Sequence, residues 1–299
     1  MSWGRTDSRD YITPFTILGS ADIPADFHLP PELPGEFRGV FLPQESARIG
    51  LNRCPPRVLI AADSSLWILT RLSATGTRVP LAHLEALECG RILLLGWIGF
   101  RWDGSGEVLR YNRHGAATVE RFLNRLKVLW LAETRGSLRP LSFGYEPDLK
   151  FCYAKSAELL QDEKPALQVF HPPASRMERH FGIRHEIRSP GDLLIFSDRR
   201  LLWITDRYKS AYQPYGTVSR STSLSAIVGV RSRRIHSGSE IEIDLRSGAA
   251  WRVPFDEGQE SSADAFADAA SRVVAASARA SIVDRPNLAR TANVELHTT

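Results

Sequence analysis

The chain has 299 residues, enough for two domains of ordinary size, and its 43% hydrophobic and 24% charged content is that of a globular protein rather than a disordered one. A formal charge of +4 favours an anionic partner but falls well short of a dedicated nucleic-acid binder, so nucleic acid is not expected as a partner. Three cysteines, far apart and in no CxxC spacing, exclude a disulfide framework and a zinc ribbon and fit a reducing compartment.

In chain order, the first 28 residues show no period and are expected to be poorly ordered. They carry no basic segment followed by an apolar one, so they do not read as a signal peptide. Apolar residues begin in earnest at GVFLPQESAR, 39–48. RVLIAADSSLWILTR, 57–71, then reads as two strands about a polar turn at Asp63. RILLLGWIGFRWDGSGEVLRYN, 91–112, is a second hairpin, with Asp103-Gly104-Ser105-Gly106 at its tip. Its uncharged run, ILLLGWIGF, is about half of what a bilayer-spanning helix needs. A helix follows, with Val119, Phe122, Leu123, Leu126, Leu129 and Trp130 on one stripe.

Residues 134–164 are rich in Gly, Pro and polar residues and read as a linker, with a short helix in LKFCYAKSAELLQDE. Beyond it the pattern repeats. QVFHPPASR at 168–176 matches 39–48, and LLIFSDRRLLWIT matches the first hairpin, with Asp63 and Asp198 in register 135 positions apart. TSLSAIVGV, 222–230, matches VPLAHLEAL, 79–87, and Phe266 matches Phe122. SEIEIDLRSGAAWRVPF, 239–255, alternates Ile241, Ile243 and Leu245 with charges, so one face is buried and the other wet. A last helix is expected from an N-cap at Ser262, burying Phe266, Ala270, Val273 and Val274. Residues 176–189 are an insertion without a counterpart, and 283–299 read as a disordered tail.

The hairpin tip SDRRLLWIT, the later Gly-bounded hairpin and the terminal helix resemble the bacterial pleckstrin-homology-like (PH-like) domain, as does GWIGFRWDGSGEVLRYN. The resemblance implies a mainly β, α+β fold of two tandem PH-like units, at 29–133 and 165–282. Each would be a partly open β-barrel closed by its C-terminal α-helix, because a small sheet cannot cover its own apolar face. The first copy departs from the pattern, with Ser64 and Ser65 where the second has Arg199 and Arg200.

No phosphate-binding glycine loop, nucleophile elbow or metal-ligand spacing is present, so no catalytic residue, metal or cofactor is assigned. His180 and His185 are five apart, a spacing that does not aim both rings at one metal from a helix, and His83 and His114 stand alone. Glu85 and Glu88 read as a charged face. Trp67, Trp97, Trp102, Trp203 and Trp251 fall in strands and are expected to pack in the core or between domains. The one cluster with chemistry is basic: Arg199, Arg200, Arg207, Lys209, Arg231, Arg233 and Arg234 all lie near strand ends of the second copy. Clustered guanidiniums bind phosphate through paired charge-assisted hydrogen bonds, and the resemblance implies lipid head groups as ligands beside this hairpin. Structural arginines offset by nearby acids are the competing reading. The functional expectation is a cytoplasmic, non-enzymatic module that binds a protein partner. The alternatives are peripheral binding of an anionic membrane surface through the basic rim, and an enzyme with a site dispersed between the domains.

Overall fold

A computed structural model describes residues 8, 11–44, 54–73, 76–131, 140–180, 183–208, 211–212 and 215–283. The chain is mainly β. Its first half holds β1 (Phe15–Ile17), β2 (Arg38–Leu42), β3 (Arg57–Ala62), β4 (Ser65–Thr70) and β5 (Thr77–Pro80), then β6 (Leu84–Ile92), β7 (Leu95–Trp102), β8 (Ser105–Asn112) and α1 (Ala116–Trp130). A connecting stretch carries β9 (Leu141–Gly144) and α2 (Leu149–Glu158). The second half holds β10 (Pro165–His171), the hairpin β11 (Ala174–His180) and β12 (Ile183–Ser189), β13 (Asp192–Ser197), β14 (Arg200–Thr205), the short pair β15 (Arg207–Tyr208) and β16 (Ala211–Tyr212), and β17 (Gly216–Ser223). It ends with β18 (Ile227–Ile235), β19 (Gly238–Leu245), β20 (Ala250–Asp256) and α3 (Glu260–Val283).

The repeat read from the sequence is matched element for element. In each half, four antiparallel strands lead through one turn of 3-10 helix, Leu81–His83 or Leu224–Ala226, into three more strands and a helix. The turns are chemically apt. Asp63 and Asp103 adopt left-handed backbone, and Asp103-Gly104 forms the two-residue tip that joins Trp102 to its partner Ser105.

In each half the core lies between the two sets of strands, under the helix. Val119, Phe122, Leu123, Leu126 and Trp130 of α1 pack on Val40, Leu59, Leu66, Leu87 and Phe100. Phe266, Ala270 and Val273 of α3 pack on Leu194, Phe196, Ile241, Ile243 and Phe255. The last helix starts at Glu260 rather than after an N-cap at Ser262. Gly258, with φ of +90°, breaks the preceding strand, and its N–H is taken by the Glu260 carboxylate, so the chain turns earlier.

Two features differ from expectation, and a third lies outside it. No sheet among the described residues closes as a barrel; each half is an open layered structure with its helix filling the gap. The first 28 residues, expected to be poorly ordered, include β1, which pairs with β2, and the buried side chains of Ile17, Ile23 and Phe27. These cover the outer face of β2–β4, against Phe41, Val58, Ile60 and Trp67. The corresponding outer face in the second half, Phe170, Leu193, Ile195, Leu202 and Ile204, is covered instead by Phe151 of α2. The apolar residues of the N-terminal segment are spaced irregularly among Pro and Gly, which is why no period announced them.

The third feature is the join. Across the halves β6 pairs with β17, making one eight-stranded sheet in the order β8-β7-β6-β17-β14-β13-β10-β9. Buried hydroxyls seal the seam, Thr222 Oγ1 donating to the Glu85 carbonyl at 2.6 Å and Ser219 Oγ to the Cys89 carbonyl at 3.3 Å. The insertion at 176–189 is the hairpin β11–β12, with His180 opposite Ile183 and His185 opposite Glu178. Residues 284–299, most of the expected tail, lie outside the described residues.

Candidate functional site

Of the basic residues singled out in the second half, Arg199, Arg200, Arg207, Arg231 and Arg234 lie beside carboxylates, in separate groups. Arg200, first residue of β14, is fully buried. Its Nε and Nη2 donate to both oxygens of Glu163 at 2.8 Å, Nη1 donates to Ser221 Oγ, and Nη2 also reaches the Glu158 carbonyl. Arg199 pairs with Asp162, and the Asp198 carboxylate accepts the Lys164 N–H. The tip therefore grips residues 158–164 of the connecting stretch. The expected display of Arg199 and Arg200 on a rim gives way to burial, because acids at 162 and 163 reach them first.

This grip extends to the first half. Lys127 of α1, itself buried, donates to the Glu158 carboxylate at 2.5 Å, and Arg91 of β6 stands 3.7 Å from it. Burial pushes the Glu158 pKa up, but the charge and hydrogen bond of Lys127, with Arg200 and Arg91 behind, outweigh it and hold the group at about 2. Glu163 is likewise held below its usual value: burial raises it, and Arg200 more than compensates. One ionic cluster thus ties α1, the connecting stretch and β14 together.

Of the others, Arg207 lies 3.9 Å from Asp192, a buried acid whose pKa is raised by burial despite Arg207, Thr205 and Trp203. Arg231 bridges Glu242 and Asp244, and Arg234 bridges Glu260 and Asp264. Arg233 is exposed on β18, with no ion pair to a described residue. Lys209 lies outside the described residues. His83 is exposed and bonded to Asp103, and no cluster of three metal-ligating side chains occurs among the described residues.

A cleft of about 380 Å³ opens where the halves meet, lined by Glu88, Phe100, Arg101 and Val108 of the first half and Trp203, Arg220, Trp251 and Arg252 of the second. A chain of contacts fixes its floor. Gly90 permits Trp97 of the facing strand to lie against it, since a Cβ there would come within 1.8 Å of the ring. Trp97 Nε1 then donates to Glu88 at 2.8 Å, and Glu88 takes the Arg220 Nε on its other oxygen at 2.8 Å. Arg220 in turn stacks over Trp203, 4.4 Å from the ring centroid, and Trp251 lies 6.1 Å from Trp203. Arg252 is held by Glu242, while Arg101 is exposed and forms no ion pair with a described residue.

The cleft offers two indoles, a stacked guanidinium and an uncommitted one. Such a surface takes flat apolar groups and carboxylates together. Its one acid, Glu88, is committed to two donors. Beneath it, on β6, burial pushes the Cys89 thiol up to about 12, leaving it protonated and unreactive. The sequence reading placed Trp203 and Trp251 in packing, which holds for Trp203, nearly buried, and holds in part for Trp251 at the mouth. It did not pick out Arg101, Arg220 or Arg252. The only local signal was a strand, TVSRSTS, too polar for an ordinary core strand yet buried along most of its length.

No protein-family model matches the chain, and neither does any curated protein. Among the described residues, no helix is long and apolar enough to cross a membrane.

Proposed function

We propose that the chain is a tandem of two PH-like units acting as a non-enzymatic interaction module, and that the seam cleft holds a segment of a protein partner carrying aromatic and acidic side chains. The tandem reading is supported by the repeated order of four strands, 3-10 turn, three strands and helix in both halves. The single observation that carries the functional reading is the joint lining of the cleft: Trp203, Trp251 and Arg220 face Arg101 and Val108, so the surface exists only when both halves are present. Aromatic and arginine side chains of this kind carry most of the energy in protein interfaces. Val108, exposed on the edge strand β8, extends the mouth along a strand edge that is unpaired among the described residues, where a peptide backbone can add. Three unpaired cysteines, one of them buried, support a cytoplasmic setting. A membrane-directed role through the second-half arginines has less support, because Arg199 and Arg200 are consumed internally.

The test is site-specific photo-crosslinking in cells, with the probe at Val108 and, as a comparison, at the exposed Val228 of β18. The expected result is one defined protein adduct from position 108, absent from 228 and lost when Trp251→Ala and Arg101→Glu are introduced together. Adducts of equal yield from both positions, or an adduct at 108 indifferent to the two substitutions, would overturn the reading.

A further inference from the structure

A second cavity, of about 280 Å³, lies wholly in the first half and shares no residue with the seam. Its walls are Thr16 of β1 and Leu18 just after it, Arg38 and Gly39 of β2, and Thr118, Arg121, Phe122 and Arg125 of α1. Arg121 and Arg125 are one helical turn apart, so their side chains stand side by side, and Arg38 faces them across the groove. None of the three pairs with a carboxylate among the described residues. Arg121 reaches only the Ala117 carbonyl and Thr118 Oγ1, at 3.3 Å each. Other arginines of the fold do have acids: Arg57 has Glu107, Arg71 has Asp26, Arg91 has Glu120 and Arg220 has Glu88, whereas the exposed Arg101 and Arg233 stand singly rather than clustered. Like charges gathered without a counterion cost stability, and a bound anion removes that cost.

We infer that this groove is an anion site for a phosphate-bearing group, held by the guanidiniums of Arg38, Arg121 and Arg125 with the hydroxyls of Thr16 and Thr118 at hand. The chemistry fits phosphate better than carboxylate. Three planar forks and two hydroxyls offer more donors than a carboxylate has lone pairs, and a tetrahedral dianion can meet donors from two walls at once. The floor is Phe122, nearly buried, which leaves the arginines as the ligand's polar partners and keeps their stems against apolar surface. The volume admits a diphosphate or a phosphorylated head group, and either source presents the same oxygens.

The experiment is titration calorimetry of the full chain with inorganic pyrophosphate, beside co-sedimentation with phosphatidylcholine vesicles with and without phosphatidic acid. The variants are Arg38→Gln and Arg125→Gln, both exposed, with Arg233→Gln of the second half as the control; thermal unfolding of each establishes that it is folded. Pyrophosphate binding weakened at least about tenfold by Arg38→Gln or Arg125→Gln, but not by Arg233→Gln, supports the site with a soluble ligand. Vesicle binding that needs phosphatidic acid and shows the same pattern supports it with a lipid source. Neither pyrophosphate nor phosphatidate vesicles binding, or binding that Arg233→Gln weakens as much as the other two, overturns it.

Discussion

The two hairpin tips are the most informative pair of places in the molecule. At the first, Asp63-Ser64-Ser65 makes a turn with left-handed backbone at Asp63, and buried Ser65 accepts a hydrogen bond from Arg78 at 3.1 Å. At the second, Arg200 occupies the position of Ser65 and is locked to Glu163, Ser221 and the Glu158 carbonyl. The same backbone element thus closes on itself in one half and clamps the connecting stretch in the other. A pair of arginines at an exposed-looking turn is not by itself a ligand site. Where acids lie nearby in space, the cheaper arrangement is internal neutralisation, since a buried guanidinium without a partner would be prohibitive.

The largest effect that would break this contrast is at Arg200. Arg200→Ala strands Glu163 in the interior and should cost about 3–5 kcal/mol in urea denaturation, whereas Ser65→Ala should cost about 1 kcal/mol. Replacing Arg200 and Glu163 together by leucine should recover much of the loss, since no buried charge is then left unpaired. Equal effects at positions 65 and 200 would mean that the tips are equivalent after all.

The covers of the two outer faces come next. Phe27→Ala and Phe151→Ala each remove a buried ring and should cost about 3 kcal/mol or somewhat more. A much smaller loss for Phe27 would show that the N-terminal cover is dispensable.

Acid should test the clamp as well. Glu158 is held at about 2 against an ordinary 4.5, so the stabilisation it gives is complete above pH 4.5 and disappears as pH falls towards 2, on the order of 3 kcal/mol in all. Asp192 opposes this, because its raised pKa means that protonation relieves a buried charge. Glu158→Gln should flatten the acid limb of the stability–pH curve. A curve unchanged by that substitution would remove Glu158 from the account.

The smallest effect concerns the cleft. Gly90→Ala displaces the Trp97 ring and should cost about 1–3 kcal/mol, with a change in tryptophan fluorescence as the Trp97–Glu88–Arg220 chain is disturbed. Gly99→Ala on the facing strand meets one tight contact, 3.3 Å to the Glu88 Cβ, rather than an overlap with a ring, and should cost less.

Much of each half could be read in the sequence because its signals are local. The alternation of Ile241, Ile243 and Leu245, the stripe from Val119 to Trp130 and the Asp103-Gly104 turn each declare an element within a dozen residues. What stayed hidden depends on partners far along the chain. Glu163 meets Arg200 across 37 positions and Glu88 meets Arg220 across 132, and no spacing rule links them. The seam is of the same kind, since β6 carries an ordinary strand pattern and β17 an unusually polar one, and nothing in either says which strand it will pair with. The groove between β1 and α1 escaped for a further reason: Arg121 and Arg125 look like the solvated face of an amphipathic helix, and only the fold brings Arg38 opposite them.

The central claim is that the halves form one structure through a shared sheet, and the most direct measurement is native-state hydrogen exchange resolved to short peptides. Amides of 88–90 in β6 and 218–222 in β17 should be protected to the same free energy as those of β3–β4 and β13–β14, opening only with global unfolding. Seam amides that exchange several kcal/mol more easily, while both hairpins stay protected, would contradict it and describe two units that merely touch.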